Sequence, residues 1–202
     1  MLKSKLTAGV FLLLLLISTG LAQSSGKVGI GVAILDFGKL VEMSMSDGIA
    51  NATITVPFLM SPTFRLEPEV GYFSGTQKQE GQIGPGLSYT WEAKAIAWNI
   101  GVGIFPQKVF DAFTLYYGGR VGYMSVKMTE ELTGDPDWES TSSGFYIAPA
   151  VGGEHNFSEH FSIGAEAQIV YAALTNEETD RDDDVDLTFL STRALVFFRF
   201  YF

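Results

Sequence analysis

The sequence predicts an all-β fold: an eight-stranded antiparallel up-and-down transmembrane β-barrel preceded by a cleaved signal peptide. Three observations predict it. Apolar and polar residues alternate with period two along most of residues 23–202. The connections between alternating segments are by turns short and long. One face of each segment is apolar, while the other carries the charges and many of the glycines. At 202 residues the chain has the size of one domain or two small ones, and 47% hydrophobic residues with 13% aromatics exclude disorder. A net charge of −10 argues against a nucleic-acid partner. Without cysteine, disulfides, thiolate metal sites and lipid anchoring on Cys are excluded. The two histidines, His155 and His160, leave little material for zinc or acid–base chemistry, and no cofactor is expected.

Residues 1–22 have the three parts of a secretory signal peptide. Lys3 and Lys5 are its positive region, Val10–Ile17 its apolar core, and Gly20-Leu21-Ala22 the small residues before a cut. That core falls short of the ~18–20 residues that span a bilayer as a helix. Cleavage after Ala22 leaves residues 23–202 as the barrel domain. It removes both lysines, so the charge moves from −10 to −12.

Eight strands are expected at 27–37, 50–60, 63–75, 90–105, 112–127, 143–156, 160–173 and 188–202. Ser61-Pro62, Pro106–Asp111 and Phe157–Glu159 read as short turns. Residues 38–49, 76–89, 128–142 and 174–187 read as long polar loops. Short turns at one end and long loops at the other are the outer-membrane pattern.

Each strand divides cleanly. In the third, Phe64, Leu66, Pro68, Val70 and Tyr72 oppose Arg65, Glu67, Glu69 and Gly71. In the fifth, Phe113, Leu115, Tyr117, Val121 and Tyr123 oppose Thr114, Tyr116, Arg120 and Gly122. In the seventh, Phe161, Ile163, Ala165, Ala167, Ile169 and Tyr171 oppose Ser162, Gly164, Glu166 and Gln168. In the last, Ala194, Val196, Phe198, Phe200 and Phe202 oppose Arg193, Leu195, Phe197, Arg199 and Tyr201. Glycine tells which face is inside. Gly29, Gly31, Gly71, Gly101, Gly103, Gly118, Gly122, Gly152 and Gly164 share the polar phase. A narrow lumen needs small residues, whereas glycine on a wet outer face would only weaken the strand. Aromatics near the strand ends read as two interfacial girdles. The apolar face therefore points to lipid.

The stretches from Phe64 to Tyr72 and from Thr192 to Phe202 resemble strands of the small outer-membrane β-barrel family of Gram-negative bacteria, the OmpA/OmpX type. The resemblance implies a place in the cell outer membrane and contacts with outer-membrane lipids and lipopolysaccharide. It also implies that Phe202 closes a signal read by the barrel-assembly machinery. A monomer is expected, with an extracellular ligand for the loops left unnamed. Members include structural proteins, adhesins, resistance factors and occasional lipid-modifying enzymes, so the resemblance is specific for architecture and poor for activity. No peptidoglycan-binding domain follows Phe202, so that tethering role is not expected.

The inward charges are Arg65, Glu67, Glu69, Arg120, Glu154, Glu166, Arg193 and Arg199, four of each sign. Unpaired buried charge is costly, so a balanced set reads as a salt-bridged plug rather than an ion pathway. Glu166 is expected to pair with Arg193 or Arg199, with strand stagger deciding between them. The acidic tract Glu177–Asp186 reads as a solvated loop. Its carboxylates suit divalent cations, but its spacing is not that of an EF-hand. His155, Ser158, Glu159 and His160 lie at a short turn and are not read as catalytic. The expected function is non-enzymatic, structural or surface-interacting. A narrow channel and a lipid-modifying enzyme are the alternatives.

Overall fold

A computed structural model describes residues 26–36, 48–84, 87–132, 138–178 and 185–202. The expected signal peptide (residues 1–22), residues 37–47 and most of the acidic tract lie outside the described residues. Nine segments are present: β1 (Lys27–Asp36), β2 (Gly48–Thr55), β3 (Phe58–Ser61), β4 (Phe64–Gly84), β5 (Leu87–Phe110), β6 (Phe113–Leu132), β7 (Trp138–Asn156), β8 (Phe161–Glu178) and β9 (Val185–Tyr201). Apart from β2 and β3, consecutive segments pair antiparallel, and β9 returns to β1 from Gly29↔Tyr201 to Asp36↔Leu195. That last pairing closes the ring.

The ring has eight strands because β2 and β3 occupy one place in it. Both pair with β1 on one side and β4 on the other. The ladder is interrupted where Pro57 and Pro68 lack an N–H, but the register runs through. The Val56 N–H donates to Pro68 O and the Gly29 N–H to Pro57 O, both at 2.9 Å. The segment expected at 50–60 is thus one wall element with a gap in its hydrogen bonds.

The strands are longer than expected on the loop side. Much of the stretches read as loops at 76–89, 128–142 and 174–187 is strand, paired from Thr76↔Lys94 to Gln82↔Ser88, from Trp91↔Leu132 to Lys94↔Thr129, and from Ser140↔Glu178 to Thr175↔Asp186. The expected turn at Pro106–Asp111 also shrinks, because β5 runs to Phe110 and only Asp111 and Ala112 separate it from β6. Asp111 has φ of 29°, a left-handed conformation that aspartate tolerates better than most residues.

Faces follow the expected phase through the apolar belt. Phe64, Val70 and Tyr72 are exposed on the outside of β4, while Arg65, Glu67 and Glu69 are buried inside it. The belt runs from Phe64 to Tyr72 on β4 and from Phe161 to Tyr171 on β8, close to the ~9–11 residues of a tilted spanning strand. At its upper edge Tyr123 packs on Trp98 and Phe145, with ring centroids 5.9 and 5.4 Å away. Above the belt the outer face turns polar. There Lys94 bridges to Glu92 at 3.0 Å and to Glu131 at 3.1 Å, and Lys127 to Glu139 at 2.7 Å.

Inward glycines make room for large neighbours. A Cβ on Gly152 would strike the Tyr116 ring, and one on Gly164 the Phe197 ring. Gly118 keeps the inward phase but is exposed, with φ of 153° and no room for a Cβ beside Ile104 O.

Candidate functional site

Five of the eight strands contribute charges to one buried network in the short-turn half of the barrel. Alternation turns Arg65, Glu67 and Glu69 of β4 inward at every second position, and the other strands add Arg120 (β6), Glu154 (β7), Glu166 (β8) and Arg199 (β9). Gly103 of β5 contributes only space.

Glu67 is the hub. Arg120 reaches it at 2.6 Å, Arg199 at 2.8 Å and Arg65 at 3.5 Å. Arg120 also grips Glu166 through Nε at 2.7 Å and Nη2 at 2.9 Å, and meets Glu69 at 3.0 Å. Glu154 joins Arg65 at 2.9 Å to Arg199 at 2.6 Å. Such bidentate and shared contacts are what guanidinium and carboxylate geometry allow. Arg65, Glu67 and Arg199 are 0% exposed, so each carboxylate and each guanidinium depends on these partners instead of water.

Neutral groups complete the shell. Tyr116 donates to Glu166 at 3.0 Å, Tyr146 to Glu69 at 2.5 Å and Tyr201 to Glu154 at 3.1 Å. Gln168 donates to Glu166 at 2.6 Å, and Asn99 to Glu69 at 3.4 Å. Aromatic faces cap the arginines: Arg199 lies 3.6 Å from the Phe197 centroid and Arg65 4.0 Å from that of Tyr116. Below, the network borders a cavity of about 850 Å³ at the short-turn mouth, where Glu154, Tyr201, Gln107 and Thr114 meet Lys27, Asp111 and Glu159.

Seven of the eight residues singled out from the sequence therefore meet. Arg193 lies higher, half-buried, and donates to Thr53 at 3.0 Å. The expected pairing of Glu166 with Arg193 or Arg199 is corrected to Arg120. Strand shear places Gln168, not Glu166, opposite Arg193. The tyrosine hydroxyls and Gln168 were signalled only by their inward phase, since their roles depend on stagger between distant strands. Phe202 ends the closing strand, its N–H donating to Val28 O at 2.7 Å. At the turn, His160 Nδ1 contacts Tyr201 O at 2.9 Å and His155 packs against the Phe157 ring.

A closed ring with a lipid-facing belt and an ion-paired interior defines an outer-membrane β-barrel. The chain belongs to the family described as outer membrane protein beta-barrel domain, which matches residues 8–193. Its place is the cell outer membrane. Among solved structures it is similar to the outer membrane protein OprG from Pseudomonas aeruginosa, at 9% identity and TM-score 0.52, covering 89% of this chain and 96% of that one. It is likewise similar to a major outer membrane protein from Thermus thermophilus, at 11% identity and TM-score 0.52, covering 88% and 100%. Neisserial surface protein A gives 12% identity and TM-score 0.47, covering 88% and 96%. No curated protein sequence matches the chain.

Proposed function

We propose that the protein is a plugged, non-enzymatic outer-membrane barrel with a structural or surface-interaction role, acting through its extracellular strands and acidic loops. The observation that carries this reading is the Arg–Glu network that crosses the lumen above the short-turn mouth, with Glu67 at its hub. An ion crossing that layer would have to separate buried pairs whose partners then lack any other charge. The barrel is a monomer contacting lipopolysaccharide, and Phe202 serves its recognition by the assembly machinery. Planar-bilayer recordings of the refolded full chain test the plug. Silent membranes are expected, and sustained unit conductance in the wild type would establish the narrow channel instead.

A further inference from the structure

We propose that the short-turn mouth of the barrel binds one small aliphatic ammonium ion from the periplasm, at a wall that carries Gln107, Asp111 and Glu159. The site goes beyond the plugged reading above and stands whether or not the barrel conducts.

The short turns bring the parts together. Antiparallel pairing puts three of them at one rim: the turn between β3 and β4, Asp111-Ala112 between β5 and β6, and the turn carrying Glu159 between β7 and β8. In an outer-membrane barrel that rim faces the periplasm. The start of β1 and the end of β9 reach it too, at Lys27 and Tyr201. Together they surround the cavity of about 850 Å³ beneath the charge network, a volume suited to a small molecule.

The wall offers acceptors and spends its donors. Gln107 is 7% exposed, and its Nε2 donates to Pro62 O at 3.3 Å, while its buried Oε1 has no donor. A buried carbonyl left in that way is costly, and an N–H from an occupant removes the cost. Elsewhere on the wall Asn156 donates to Thr114 at 3.2 Å and Tyr201 to Glu154 at 3.1 Å. Charge selects the kind of donor. The acids of the wall are Asp111, Glu154 and Glu159, against Lys27 as its base. Glu154 is already gripped by Arg65 and Arg199. Asp111 and Glu159 are exposed on their turns and enter no ion pair among the described residues. A cation is therefore drawn to them and an anion repelled. Leu59, Met60 and Val109 add apolar surface to the same wall, which an aliphatic stem covers. At the open rim the ammonium keeps part of its hydration, which it would lose deeper in the lumen.

The test uses the full chain in phosphatidylcholine nanodiscs with ¹³C-methyl methionine, and butylammonium as the probe. Met60 borders the cavity and reports on it, whereas Met124 packs on the Tyr146 layer higher in the lumen and serves as the control. A saturable shift of Met60 at one butylammonium per barrel, with Met124 unmoved, is expected. 1-Butanol, of similar size but uncharged, should bind about tenfold more weakly. The double variant Asp111→Asn, Glu159→Gln should weaken butylammonium binding about tenfold. Both positions lie on exposed turns, and asparagine tolerates the φ of 29° at position 111. Should that variant not fold, Gln107→Leu, which removes the unpartnered acceptor, takes its place with about the same loss expected. An unmoved Met60, a shift that rises without saturation, equal binding of 1-butanol, or unchanged affinity in the folded variant would each overturn the site.

Discussion

Glu67 and Arg120 make a 2.6 Å ion pair across a strand that lies between them. Glu67 is level with Gly103 of β5, and Gly103 is level with Arg120 of β6. The absent side chain at Gly103 is what lets the two charges meet. A Cβ there would press on the Phe105 ring and come within 3.1 Å of Arg120 Nη1.

Gly103→Val should therefore destabilise the barrel by crowding the network, at about 1–3 kcal/mol for an overpacked site. Urea titration of the detergent-refolded protein measures it. The same change at Gly119, where an added Cβ meets only ordinary contacts, is the comparison. Equal losses at both positions would show that the passage over Gly103 is not what matters.

Glu166→Gln leaves Arg120 short of its bidentate partner and should cost ~3–5 kcal/mol in a dry interior. A double-mutant cycle with Arg120→Gln should give a coupling of about 0.5–3 kcal/mol, whereas a cycle with Arg193→Gln should be nearly additive. Strong coupling to Arg193 instead would restore the pairing that strand order alone suggests.

What the sequence showed and hid follows from what period two can carry. The run Phe64-Arg65-Leu66-Glu67-Pro68-Glu69-Val70 alternates between strongly apolar and charged or proline positions, so the strand, its faces and three network residues are legible there. Thr76-Gln77-Lys78-Gln79-Glu80-Gly81-Gln82 has no apolar residue to alternate, so it reads as a loop although it is paired with β5. Phase also assigns Glu166 to the interior without naming its partner. Arg120 is two strands away, and only the shear of the closed ring brings the two together.

The lipid face is tested at Ala167, exposed in mid-belt and level with Val151 on one side and Ala194 on the other. Ala167→Arg should cost ~2–4 kcal/mol when the protein is refolded into lipid vesicles, as expected near the bilayer midplane. Unchanged stability there would mean that inside and outside are exchanged.

The strand extensions above the belt make the last prediction. Residues 128–132 pair with β5 from Trp91↔Leu132 to Ala95↔Met128, and Lys94 ties Glu92 to Glu131 across that seam. The ion pairs are exposed and individually weak, so the ladder hydrogen bonds hold the extension together. Amides there that donate into the ladder should exchange with deuterium far more slowly than those of an unstructured polar loop, though faster than those at the lipid belt. Lys94→Ala should leave that protection largely intact. A proline at Thr129 should collapse it locally, because it removes an N–H and restricts the preceding residue. Rapid exchange throughout 128–132 in the wild type would restore the long-loop reading of this segment.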